Sequence, residues 1–158
     1  MNRIYRRSQG SYPVNPVHPV KIEVETNMEH EELTGKIIGC AMTVHGVLGA
    51  GFLESVYQKA FAHELCKAGL KVECEKSITV TYDGVVVGDF SADMLIEELV
   101  LIENKAVQAL VTAHQVQLVN YLTATGIEIG LLLNFGASRL EFKRKYRTFK
   151  PKQTGSTG

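Results

Sequence analysis

The chain has 158 residues, with 17 Lys and Arg against 17 Asp and Glu, 45% hydrophobic and 22% charged residues. That is enough for one domain with a real core and an ordinary globular composition. No apolar run nears the roughly 20 residues of a membrane-spanning helix, and the start bearing Arg3, Arg6 and Arg7 lacks the apolar segment of a secretory signal.

Residues 1–28 read as an extended or disordered leader, because Pro13, Pro16 and Pro19 recur at the three-residue spacing of polyproline II. A folded domain is expected over 29–147. Its first helix starts near Glu31, where Leu33, Ile37, Ile38, Ala41 and Val44 recur with helical period. The glycines of GVLGAG stop it. A second helix starts near Phe52 and ends at KAGL, with Gly69 just past its end.

The period then changes to two. KVECEKSITVTY and VVVGDFSADMLI read as strands joined by an Asp83-Gly84 turn. Glu97-Glu98 marks the next reversal. LVLIENKAV is apolar on both faces, as a central strand should be. TAHQVQLVNYLTATG reads as a helix closed by Gly126, IEIGLLLNFG as a second buried strand, and RLEFKRKY as a short edge strand. Residues 148–158 form a basic and polar tail, expected to be disordered.

Charge and cysteine usage add limits. From Glu23 to Lys105 there are 15 acids and 6 bases; from Arg139 to Lys152 there are 7 bases and one acid. An acidic body and a basic end result, and such an end suits contact with phosphates or with solvent alone. The three cysteines, Cys40, Cys66 and Cys74, are odd in number and form no CxxC. They argue for a reducing, cytoplasmic setting. His63, Cys66 and Cys74 lack a fourth ligand at zinc spacing.

The chemistry concentrates in SADMLIEELVLIENK. Alternation puts Glu103 and Lys105 on one face of a strand, with Asn104 on the other. In a hairpin reversing at Glu97-Glu98, Asp93 comes level with Glu103. Two adjacent carboxylates do not both ionise cheaply. A divalent cation, Mg²⁺ or Mn²⁺, relieves that conflict through hard oxygen ligands. Lys105 beside it assists an attacking water, which is the equipment for phosphodiester hydrolysis. A plain ion pair at a strand end is the other reading of so short a pattern. On the following helix His114, Gln117 and Tyr121 share one polar face at i, i+3 and i+7. Glu54 and Tyr57 stand one turn apart at the start of the second helix, where an acid also suits the helix dipole.

GFLESVY, with Gly51, Glu54 and Tyr57, resembles the signature of the GxxExxY protein family. ADMLIEELVLIENKAV, AHQVQLVNYL and IEIGLLLNFG follow in that family's order, and the resemblance covers about residues 31–136. The family is similar to a branch of the PD-(D/E)XK nuclease superfamily. The resemblance implies a restriction-endonuclease-like α/β core, a mixed central sheet of four or five strands flanked by helices. It implies a Mg²⁺-dependent nuclease acting on nucleic acid, with DNA the favoured substrate. Asp93, Glu103, Lys105, Gln117, Tyr121 and His114 would be catalytic, and Glu54, Asp93, Glu103 and the Asn104 carbonyl would hold the metal. Ala92 replaces the usual Pro, and Asn104 replaces the usual Leu, so its side chain must find a partner on the other face. No membrane association is expected; a homodimer or larger complex is left open. The rival reading is a catalytically weak nuclease-fold protein that binds a partner.

Overall fold

The computed structural model describes residues 19–147, with side chains from residue 30 onward. Chain order is α1 (Pro19–Leu48), α2 (Glu54–Lys67), β1 (Val72–Tyr82), β2 (Val85–Ile96), β3 (Val100–Lys105), α3 (Thr112–Thr125), β4 (Ile129–Asn134) and β5 (Glu141–Tyr146). The five strands form one sheet in the order β1-β2-β3-β4-β5. β3 and β4 run parallel and every other neighbouring pair is antiparallel. This is the mixed, helix-flanked sheet expected from the sequence.

One boundary differs from expectation. Among the described residues α1 already runs from Pro19, well upstream of Glu31, so the described part of the leader expected over 1–28 is helical. Pro13, Pro16 and the tail over 148–158 lie outside the described residues.

The sheet carries a hydrophobic layer on each face. On one side Ile37, Ala41, Tyr57, Phe61 and Leu65 of α1 and α2 meet Val100, Ile102, Leu131 and Leu133. On the other, Leu118 and Leu122 of α3 meet Leu95, Leu101 and Leu132. β3 and β4 are buried on both faces, which explains their unbroken apolar runs. Each fully buried large side chain contributes roughly 1.5–3 kcal/mol. Gly130 lets α3 approach closely: a Cβ there would lie 2.8 Å from Leu118 Cδ1 and 3.2 Å from the Leu101 carbonyl.

The turns follow their residues. Past α2, the Gly69 N–H donates to Cys66 O at 3.0 Å and the Leu70 N–H to Leu65 O at 3.1 Å, the paired bonds of a Schellman end. Asp83 (φ 51°) and Gly84 (φ 76°) make the β1–β2 turn. The β2–β3 turn does the same without glycine, at Glu97 (φ 51°) and Glu98 (φ 60°). Each costs about 1–2 kcal/mol of backbone strain. Lys71 offsets it: its carbonyl accepts from the Glu97 N–H at 2.9 Å, its N–H donates to Glu97 Oε1 at 2.5 Å, and its ammonium meets Glu98 Oε1 at 3.0 Å.

Candidate active site

The paired strands β2 and β3 carry the centre. Their register runs Ile96↔Val100, Leu95↔Leu101 and Met94↔Ile102, which brings Asp93 to the level where β3 reaches Glu103. Asp93 Oδ2 accepts a 2.6 Å hydrogen bond from the Asn104 N–H. The carboxylate is therefore fixed by main chain.

Glu103 is only 5% exposed, and its Oε1 is buried with no hydrogen-bond partner. Burial pushes its carboxyl up to about 8; the neighbouring Asp93 charge adds to the shift, while Lys105 and the Asp93 N–H oppose it. Asp93 is also raised, chiefly by burial, with the Asn104 hydrogen bond pulling the other way and Glu54 and Glu75 adding repulsion. Two carboxyls held this way resist double ionisation in the absence of a cation.

The helices supply the walls. Tyr57 is fully buried and stacks on Phe135 with ring centroids 5.0 Å apart. Its hydroxyl donates to Gly49 O at 2.5 Å and accepts from the Phe52 N–H at 3.2 Å. That staples the glycine turn shut and sets where α2 begins. Glu54, exposed in the first turn of α2, adds its charge to those of Asp93 and Glu103. The G-x-x-E-x-x-Y spacing thus has a mechanical meaning: a glycine turn, an acid at the helix start, and a tyrosine locking the two together.

On α3, Gln117 Nε2 donates to the Tyr121 hydroxyl at 3.1 Å. Burial raises the Tyr121 phenol first, and the Glu103 charge second, so the two share one electrostatic neighbourhood. His114 is used otherwise. Its Nδ1 accepts from the Val111 N–H at 3.2 Å, closing the first turn of α3.

Two residues depart from the sequence reading. Strand alternation does not point to Glu75, yet it stands across from Asp93, at the position the β1–β2 ladder omits between Cys74↔Met94 and Lys76↔Ala92. Its φ of 56° breaks the strand's alternation, and Gln58 Nε2 (2.8 Å) and Ser91 Oγ (3.1 Å) hold its carboxylate. Only the pairing of β1 with β2 reveals it. Asn104 reverses an expectation. Its side chain is fully buried on the opposite face, and neither Oδ1 nor Nδ2 finds the partner it was expected to need. An unpaired buried amide costs about 1–3 kcal/mol. Asn104→Leu is therefore expected to raise unfolding free energy by about 1–3 kcal/mol in a urea titration. Loss of stability instead would mean that the amide is satisfied.

Among the described residues no three His, Cys, Asp or Glu side chains are arranged to hold a metal by themselves. The donors at hand are the Asp93 and Glu103 carboxyls. That set suits Mg²⁺, which takes one or two carboxylates and keeps several waters. The unpartnered Glu103 Oε1 is the atom that such an ion would satisfy.

A family model described as PD-(D/E)XK nuclease superfamily matches residues 31–145. No curated protein matches the chain. Among solved structures, the crystal structure of SSO0001 is similar over 61% of this chain and 50% of its own, with TM-score 0.50 and 20% identity. An alkaline exonuclease from Laribacter hongkongensis is similar over 60% of this chain and 56% of its own, with TM-score 0.40 and 16% identity. The chain spans about half the length of the solved structures it matches. The likeness to SSO0001 is one of fold.

Proposed function

The chain belongs to the PD-(D/E)XK nuclease superfamily, and from that premise we propose that it is a metal-dependent nuclease of the GxxExxY branch, hydrolysing phosphodiester bonds of nucleic acid. The observation that carries the proposal is the buried, unpartnered Oε1 of Glu103 beside Asp93, two residues before Lys105 on one strand. That oxygen has no partner among the described residues, and a divalent cation between the two carboxylates would supply one.

Asp93, Glu103 and the Asn104 carbonyl would hold the divalent cation, Mg²⁺ or Mn²⁺, with Glu54 as a further acid at the rim. When bound, such a cation polarises a phosphoryl oxygen and lowers the pKa of a water. The chain's own groups do the rest. Asp93 is oriented by the Asn104 N–H. Lys105 orients the attacking water and places a donor beside the oxygen that gains negative charge. Gln117 and Tyr121, hydrogen-bonded to each other, fix the phosphate through whichever donors they leave free. With Nδ1 committed to the helix start, His114 has only Nε2 to offer.

DNA is the favoured substrate; the same chemistry would cut RNA. The test is cleavage of end-labelled and circular DNA and of RNA in Mg²⁺ or Mn²⁺. Cutting should vanish in excess chelator and fall about 10²–10⁴-fold in Lys105→Ala. Equal cutting by wild type and variant would overturn the reading. Metal binding and nucleic-acid binding without cutting by wild type would favour a catalytically weak binding protein.

A further inference from the structure

A groove of about 1080 Å³ lies between α3 and the β1–β2 hairpin. It adjoins the candidate site: Tyr121, which lines it with Gln117, feels the Glu103 charge. Its lining is unusual for a surface expected to meet nucleic acid: no charged residue contributes to it. Thr79, Thr112 and Asn120 supply neutral donors and acceptors, and Val116 and Phe90 supply apolar surface. Phe90 is 49% exposed although it neighbours the core, with its ring centroid 5.9 Å from that of Tyr121 and tilted by 39°. Its ring covers Gly88, where an added Cβ would lie 2.7 Å from Phe90 Cε2.

This chemistry discriminates between the parts of a nucleic acid. A phosphate path needs Lys or Arg, and this groove has neither. A base needs an aromatic face and neutral hydrogen-bonding groups, which this groove has. A base inside an intact duplex keeps its faces stacked on its neighbours and cannot offer one to Phe90. We propose that the groove takes an unpaired nucleobase, stacked on Phe90, of the strand whose phosphate lies at the carboxylates. The preferred substrate is then single-stranded nucleic acid or an unpaired end. This rests on the nuclease reading for the placement of the phosphate.

Binding, measured apart from cleavage, tests it. The whole 158-residue chain carrying Lys105→Ala is titrated into fluorescein-labelled dT12, rU12 and a blunt 12-base-pair duplex, and anisotropy is followed. The single strands should bind at least about tenfold more tightly than the duplex, and the ratio of dT12 to rU12 shows which sugar is preferred. Adding Phe90→Ala should weaken single-strand binding about 5- to 150-fold, the loss of one stacked base, and leave the duplex value unchanged. Phe90→Trp should restore it. Because Phe90 is half exposed, the core does not depend on it, and an unchanged melt confirms folding. Equal or tighter binding of the duplex overturns the proposal, and so does single-strand binding indifferent to Phe90, as expected if the groove seats a second copy of the chain. Phe90-dependent binding of single strands with no cutting by the Lys105-bearing protein would keep the base-binding groove and sink the nuclease reading. Cutting of duplex with no role for Phe90 would do the reverse.

Discussion

Replacing Glu103 by Gln is expected to make the metal-free protein more stable at pH 9, by on the order of 3–5 kcal/mol, while cutting is lost. The reason is proton linkage. In the folded state the Glu103 carboxyl titrates at about 8, against an ordinary value of 4.5. Between those two values the folded chain holds a proton that the unfolded chain has released. Unfolding free energy then falls as pH rises, by up to about 1.4 kcal/mol per pH unit. The stability that belongs to the neutral acid is fully present below about pH 4.5. It is gone once pH has passed about 8, and the curve is flat beyond. Glutamine keeps the shape and remains neutral throughout. Wild type and variant should therefore have similar denaturation midpoints near pH 4.5, diverge up to about pH 8 and hold that gap at pH 9. Asp93, raised by burial in the same sense, leaves the variant a smaller slope of the same sign. Millimolar Mg²⁺ should stabilise wild type at pH 8 by mass action and leave Glu103→Gln unmoved. A wild-type midpoint that does not change from pH 5 to 9 in chelator would show that the carboxylate is not desolvated.

The Glu103 centre is visible in the sequence as a charge pattern inside an apolar strand. Alternation around Asp93, Glu103 and Lys105 survives folding because β2 and β3 are joined by a tight turn. Local period and a short loop suffice to bring the residues level. β3 and β4 were legible for a similar reason: a strand buried on both faces has no polar side to confuse the pattern. The parts that were not legible depend on distant partners or on a broken period. Glu75 is brought to Asp93 by the β1–β2 pairing and a residue at positive φ, which no alternation signals. The extension of α1 to Pro19 was hidden by a proline spacing that suits an extended chain equally well. His114 shared a helix face with Gln117 and Tyr121, but at the helix start the unpaired Val111 N–H competes for its ring. Asn104 shows a limit of a different kind. Sequence logic demands that a buried amide find a partner, and at this position it does not.

Asn134→Ala is expected to cost about 3–5 kcal/mol of unfolding free energy, because one side chain closes the segment that follows the Glu103–Lys105 strand. Asn134 is fully buried and pairs with Lys105 in the parallel ladder. Its Oδ1 accepts from the Val107 N–H and the Gly136 N–H, each at 3.0 Å, and its Nδ2 donates to the Val107 carbonyl at 2.9 Å. The Phe135 N–H adds a 2.8 Å bond to the Lys105 carbonyl. Alanine would leave three main-chain groups without partners. It would also free the chain just past Lys105, the residue proposed to orient the attacking water. The closeness of this contact is visible at Gly136, where an added Cβ would meet Val107 N at 2.4 Å and Ala106 C at 2.5 Å. The two backbone segments touch there, and the Asn134 amide sets how they touch. Hydrogen exchange reads the effect locally. The Val107 and Gly136 amides should be protected in wild type and exchange at least about tenfold faster in the variant. The fully buried β4 amides should lose only what the global destabilisation takes. Unchanged protection at Val107 and Gly136 would mean that the loop is held by packing alone and that Asn134 has no part in fixing Lys105.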